Sequence, residues 1–181
     1  MAKLISKTYG DALFDLAVET DKVDVLLEEI QQLQTVLAEN ADFGSLMNHP
    51  KILKEEKVEV AKNVFAGRIS EELLGFLTII ITKDRYREID EILSYFVTKV
   101  KEYKGIGIAT VTTAVPLKSD QHKAIEKKLL DTTKYQSMEI HYDVDASLIG
   151  GMVIRIGDRV VDSSISTKLS ELQKDLLKVQ V

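Results

Sequence analysis

The spacing of apolar residues changes period near residue 105, and this change constrains the fold more than any other feature of the chain. Up to about Tyr103 the apolar positions recur at intervals of three and four. From Ile106 onward they alternate. The first spacing places side chains on one stripe of a helix and the second on one face of a strand. A chain that carries both in succession is built from a helical part followed by a part that contains a sheet.

The helical part reads as six segments. Residues 4–19 put Tyr9, Leu13, Leu16 and Ala17 on one stripe. Asp21 is a plausible N-cap for a second helix carrying Val23, Leu26, Leu27, Ile30, Leu33 and Leu37. A short third helix fits residues 43–47, before Asn48-His49-Pro50 breaks the chain. The fourth, over residues 54–65, uses Val58, Ala61, Val64 and Phe65, with Gly67 suited to its end. Ser70 is a natural N-cap for "EELLGFLTIIIT", where Glu71 and Glu72 favour the positive helix start. A sixth helix over residues 86–103 carries Ile89, Ile92, Leu93, Phe96, Val97 and Val100, and Gly105 ends it. Short helices with short connections predict a compact bundle.

The second part begins with "GIATVTTAV", a β-branched stretch stopped by Pro116. Ser119 is suited to cap a helix to about residue 133, with Ile125, Leu129 and Leu130 inward. "MEIHYDVD" alternates Met138, Ile140, Tyr142 and Val144 against polar residues, which is a strand with one buried face. "MVIRI" and "RVV" read as two further strands. A last helix carries Ile165, Leu169, Leu172 and Leu176. The fold class is therefore α+β: an N-terminal six-helix bundle over residues 1–104, then a small mixed α/β domain over residues 105–181 in the order β-α-β-β-β-α. The boundary falls near residues 104–107.

The stretch "SLIGGMVIRIGDRVVDSSI" contains Gly150, Gly151 and Gly157 and invites a search for a phosphate site. A Walker loop needs a second glycine five residues after the first, then Lys and Ser or Thr. Here Gly157 follows Gly151 by six and leads into Asp158-Arg159. A dinucleotide fingerprint opens a helix, whereas Gly150-Gly151 precedes a strand. Gly157-Asp158 fits a two-residue hairpin turn of the primed type, with positive φ at the glycine. Asp143, Asp145 and Ser147 have the alternate spacing of an EF-hand loop, but Leu148 and Ile154 stand where glycine and glutamate are required.

Cysteine is absent, which removes disulfides, thiolate catalysis and cysteine-ligated metals. His49, His122 and His141 lack ligand spacing, and neither G-x-S-x-G nor H-E-x-x-H occurs. Asp84-Arg85, between two helices, reads as capping and a local ion pair. A net charge of -5 argues against generic nucleic-acid binding, and no basic, aromatic-studded strand supports an RNA-binding module. A nucleotide-using enzyme rests on the glycines alone. The N-terminus has no secretory pattern, and the apolar run around residues 79–81 is far short of a membrane span. Composition thus points to a cytosolic-type chain that reaches a membrane only through a partner.

One helix is too apolar for its place. In "ELLGFLTIII", Leu73, Phe76, Leu77 and Ile80 define a core face, while Ile79 falls on the far side near Gly75. Two readings remain open. Gly75 and Ile79 pack against a sister helix in the bundle, or they line a groove for a partner's amphipathic helix. Leu177, Val179 and Val181 extend the last helix beyond its stripe with the same ambiguity.

These stretches resemble the delta subunit family of bacterial F-type ATP synthases, whose mitochondrial relative is the oligomycin-sensitivity-conferring protein. The resemblance covers nearly the whole chain. "DASLIGGMVIRIGDRVVDSSISTKLSEL" is similar to the family's C-terminal signature, "TYGDALFDLA" to its first helix, "TKDRYREIDEILSYF" to its fifth-to-sixth helix turn and "TVTTAVPL" to the first strand of its second domain. Gly10 stands where the family usually has alanine, a departure that loosens the first helix by roughly 1 kcal/mol while keeping the side small.

The resemblance implies a stator subunit with no catalytic, cofactor or metal site. It implies an N-terminal domain that binds the N-terminal segment of an alpha subunit in a groove between helices one and five. The candidate residues there are Tyr9, Ala12, Gly75, Thr78 and Ile79. It implies a second domain that binds the b subunits of the peripheral stalk, with Leu172, Leu176 and Leu177 as candidates. One copy per complex is expected, at the cytoplasmic face of the bacterial membrane, with no membrane insertion and no nucleic acid.

Overall fold

The computed structural model of the chain describes residues 2–179. The chain divides into two compact units, Met1–Val100 and Lys101–Val181. The architecture is α+β, with eight α-helices and a four-stranded mixed sheet among the described residues.

The first unit draws on α1 (Ala2–Glu19), α2 (Val23–Glu39), α3 (Ala41–Met47), α4 (Lys54–Phe65), α5 (Glu71–Thr82) and α6 (Ile89–Tyr103). These helices share one apolar core, with Leu13, Leu26, Ile30, Leu73, Ile80, Ile92, Leu93 and Phe96 all buried. Val64, expected on the apolar face of α4, stays at the surface. The sixth helix enters through a 3-10 turn at Tyr86–Glu88 and becomes α-helical at Ile89.

Asp21 does not cap α2. Lys22 precedes that helix with no side-chain cap, and Asp21 takes φ +54. The Lys22 amide donates to the Ala17 carbonyl at 2.9 Å and the Asp21 amide to Val18 at 3.2 Å. This pair of bonds is a Schellman motif that closes α1, with Asp21 in the left-handed position. Asp84 does the same for α5: φ is +58, and the Arg85 and Asp84 amides reach Ile80 and Ile81. Asp84 then pairs with Lys54 at 3.0 Å, so its ion pair runs to α4.

Ser70 caps α5, accepting from the Leu73 amide at 3.4 Å. Glu29 of α2 holds the cap in place by accepting from the Ser70 hydroxyl at 2.6 Å and its amide at 3.1 Å. Lys22 reaches Glu72 in the first turn of α5 at 2.6 Å. The start of α5 is thus tied to α2 and to the turn before it.

The second unit contains β1 (Ile106–Thr113), α7 (Ser119–Thr132), β2 (Ser137–Val144), β3 (Met152–Ile156), β4 (Arg159–Asp162) and α8 (Ile165–Val179). The strand order is β2-β1-β3-β4, with β1 parallel to β2 and antiparallel to β3. Ala109 and Val111 of β1 pair with Ile140 and Tyr142, and with these they face Ile125 and Leu129 of α7. Val144, last in the alternating series of β2, is exposed. Ser119 lies inside α7 and caps nothing. Lys118 takes the cap position, and its amide donates to the Gln121 side chain at 2.8 Å.

Gly157 takes φ +55 between β3 and β4, and Asp158 has no positive φ, which selects a II′-like hairpin turn. The other two glycines of this stretch seat α8. A side chain at Gly150 would lie 2.6 Å from Ile165 Cδ1, and one at Gly151 (φ +78) would run into the Ser163 carbonyl. The Ile165 amide donates to the Gly150 carbonyl at 3.0 Å. Ser164 accepts from the Thr167 amide at 3.2 Å and is fully buried.

Candidate functional site

The titratable groups whose affinity for protons is displaced all have structural causes. The hydrogen bond from Lys99 holds the Asp11 carboxyl below the usual carboxylate range, and Lys22 does the same for Glu72. The hydrogen bond from Lys54 lowers Asp84, and the Ser164 amide lowers Asp162. Burial pushes the Tyr86 hydroxyl up to about 12. Each is an ion pair, a cap or a packed ring. Asp145 accepts from the Ser147 amide at 2.9 Å, which forms a local turn rather than a ligand loop. His122 stacks on the Tyr142 ring at 3.9 Å. Among the described residues, no group of three or more His, Asp or Glu side chains is arranged to hold a metal ion.

What the surface does offer is apolar. On α5, Ile79 is 51% exposed, and a side chain built at Gly75 would meet nothing within 4 Å. The reading in which Gly75 and Ile79 pack against a sister helix therefore fails: this edge of α5 faces outward. Thr78, between them on the same edge, is half-buried, with its hydroxyl donating to the Leu74 carbonyl at 2.9 Å. On α1, Ala12 is exposed, whereas Tyr9 is half-buried and packs against the core of the unit. Tyr9 and Ala12 share an edge of α1 by their spacing of three, as Gly75, Thr78 and Ile79 share one on α5.

In the second unit the exposed apolar side chains include those of α8. None of the described side chains of α8 is buried. Leu172, Leu176 and Leu177 are 60%, 70% and 59% exposed. Ile165 and Leu169 lie on the same stripe and are also exposed. The stripe itself is therefore open surface. Leu177 lies one helical step from Leu176 and widens it. Val181 lies outside the described residues, as does the Val179 side chain.

The steps from Ile165 to Leu169, Leu172 and Leu176 are four, three and four residues. Eleven residues in three steps is a mean period of about 3.7, close to that of the α-helix, so the four side chains lie on one edge of α8. All four are at least partly in water.

Ile149 was not among the expected residues. It lies at the end of the 3-10 turn Ala146–Leu148 with φ +64 and ψ -37, and it is 63% exposed. Positive φ is a conformation that a β-branched residue adopts at a cost of about 1–3 kcal/mol. Nothing local in the sequence signals it, since an isoleucine ahead of two glycines reads as the approach to a strand.

Comparison with known proteins shows the family. The ATP synthase delta (OSCP) subunit family matches residues 5–176. The chain is 54% identical over 181 residues to ATP synthase subunit delta of Lachnoclostridium phytofermentans, with both chains covered in full. It is 35% identical over 175 residues to that of Geobacillus sp., covering 97% of this chain and 98% of the relative. Its fold is similar to a chain of the Toxoplasma gondii mitochondrial ATP synthase hexamer, with a TM-score of 0.74 and 20% identity over 95% of this chain and 97% of that one. With the family spanning both units and its match running through α1, α5 and most of α8, the chain belongs to the ATP synthase delta (OSCP) subunit family.

Proposed function

We propose that the chain is a non-catalytic tie in the stator of a rotary F-type ATP synthase, joining the catalytic head to the peripheral stalk. The stalk must resist torque while the rotor turns, and a stator that slips would let ions flow without ATP synthesis. A part with this role needs tight interfaces and no active site. In this reading the helices α1–α6 form a six-helix bundle over residues 1–104, and residues 105–181 form the stalk-binding domain.

The N-terminal segment of an alpha subunit docks on the first unit, along the edges carrying Tyr9 and Ala12 on α1 and Gly75, Thr78 and Ile79 on α5. The b subunits dock on the second unit at Leu172, Leu176 and Leu177. One copy serves each complex, at the cytoplasmic face of the bacterial membrane. No helix among the described residues is long and apolar enough to cross a membrane.

The observation that carries this reading is the uncovered seam of α8. Covering the exposed parts of Ile165, Leu169, Leu172 and Leu176 contributes on the order of 1 kcal/mol each, which a partner helix would collect. The test is co-purification of the tagged full chain with alpha and b from the complete complex. Ile79→Asp is expected to weaken binding of an alpha N-terminal peptide and spare b, and Leu172→Asp the reverse. Loss of both partners by either variant, or of neither by both, overturns the assignment of one partner to each unit.

A further inference from the structure

We infer that the outer edge of β2 pairs antiparallel with the same edge of a second copy of the free chain, joining two four-stranded sheets about a dyad at Ile140. This surface is separate from α8 and does not depend on the docking proposed there.

The strand order leaves β2 and β4 at the two edges of the sheet. β4 has four residues. β2 has eight, pairs with β1 without a bulge, and contains neither proline nor lysine. It therefore lacks the devices that commonly keep an edge from pairing.

The bonds at the two ends of β2 show which of its backbone groups face outward. The Ser137 amide donates to the Gly105 carbonyl at 3.4 Å, and the Asp145 amide to the Thr113 carbonyl at 2.8 Å. Alternate residues of a strand bond to the same neighbour, so the odd-numbered residues of β2 turn toward β1. Met138, Ile140, Tyr142 and Val144 then present their amides and carbonyls along the free edge. Their side chains share the face that α7 covers, yet Met138, Ile140 and Tyr142 are only half-buried and Val144 is exposed. A strand added here would bond to the backbone and finish covering this apolar row.

The opposite face of β2 decides the occupant and the register. It carries Glu139, His141 and Asp143, all exposed. A dyad normal to the sheet keeps the α7 faces of both copies on one side, and outward-facing residues must meet each other across it. A dyad at Glu139 sets that residue against itself. One at His141 sets Glu139 against Asp143 of the second copy, and one at Tyr142 sets Glu139 against Asp145 of the second copy. Like charges directly opposite one another destabilise a pair. A dyad at Ile140 instead sets Glu139 against His141 of the second copy, on both sides of the axis, and Met138 against its Tyr142. This register forms about six backbone bonds. Glu139 also meets Lys101 of its own chain, and its side chain is still 44% exposed.

The experiment is sedimentation of the full chain over a range of concentrations, with thermal denaturation alongside. A contact of this size is expected to leave the chain monomeric at about 1 µM and mostly dimeric at about 1 mM. His141→Glu sets acid against acid on both sides of the axis and is expected to weaken the dimer about tenfold, with the melting temperature of the dilute monomer unchanged. Combining it with Glu139→His restores the opposed pairs and is expected to recover the wild-type dimer. The chain has no cysteine, so cross-linking reports the register directly. Glu139→Cys mixed with His141→Cys is expected to form a disulfide-linked dimer on mild oxidation, in higher yield than either variant alone. A chain that stays monomeric at about 1 mM overturns the inference. So does a dimer that survives His141→Glu and dissociates with Leu172→Asp, since the contact then lies on α8. Cross-linking as strong in either single variant as in the mixture overturns the dyad at Ile140.

Discussion

The Tyr95 ring of α6 lies directly over Gly10 of α1, so that a β-carbon at position 10 would drive into the ring. The Tyr95 hydroxyl donates to Asp11 at 3.0 Å, and Lys99 pairs with the same carboxylate. Gly10 is the place where α1 gives up helix propensity so that α6 can approach.

This relationship reverses the expectation for the obvious repair. Gly10→Ala should gain about 1 kcal/mol of helix propensity. It must also displace a ring whose hydroxyl anchors Asp11, and overpacking of this kind costs about 1–3 kcal/mol. We expect net destabilisation of roughly 1 kcal/mol by urea denaturation. In a Tyr95→Ala background the same substitution should become stabilising, since the obstacle is gone. A Gly10→Ala effect that is equal in both backgrounds would mean the two residues are not coupled.

Neighbouring isoleucines on α5 should behave as opposites. Ile79 faces outward and Ile80 is fully buried. Ile79→Asp is expected to shift stability by about 0.5 kcal/mol or less, as surface changes do. Ile80→Asp buries an unpaired carboxylate and should unfold the unit. Circular dichroism melts of the two variants decide it, and a large loss for Ile79→Asp would place that residue inside the core.

Much of this was readable beforehand, and what was not had physical reasons. The bounds of α4, the Ser70 cap and the Gly157 turn follow from local chemistry and occur as expected. Asp21 misled because aspartate suits both an N-cap and the left-handed end of a helix, and only the closing bonds distinguish them. The α8 stripe reads the same whether or not anything covers it, since periodicity reports an apolar edge and not its occupant. Gly10 looked like a loosened helix because its reason, Tyr95, lies far along the chain. Ile149 is visible only through its backbone angles.

The start of α8 should weaken in acid. Asp162 accepts from the Ser164 amide at 2.8 Å and the Thr167 hydroxyl at 2.7 Å, and these bonds hold its pKa below the ordinary 3.8. A carboxyl whose folded value is depressed contributes stability that is complete above the unfolded value and is lost as pH falls through the folded one. The amide shift of Ser164 should therefore titrate with a midpoint below 3.8, and protection of the first turn of α8 should fade over the same interval. Asp162→Asn should abolish the step. A midpoint at or above 3.8 would mean the bonds do not favour the ionised form.

Two glycines in one stretch should differ sharply when replaced by alanine. Gly157 takes positive φ in open space, with nothing within 4 Å of an added β-carbon. Gly157→Ala therefore pays only for the backbone conformation, about 1–2 kcal/mol. Gly151 takes positive φ as well, but its missing side chain is the gap through which the Ser163 backbone passes on the way to α8. Backbone cannot rotate aside as a side chain does, so Gly151→Ala must pay for the conformation and also lift the start of α8 from the turn it rests on. We expect a loss of more than about 3 kcal/mol, in the range that marks a specific structural conflict. Hydrogen exchange separates the mechanisms: Gly151→Ala should expose the amides of Ile165 and Thr167, and Gly157→Ala should leave them protected. Equal costs for the two variants would mean that the paired glycines serve the turn alone and that α8 is held by something else.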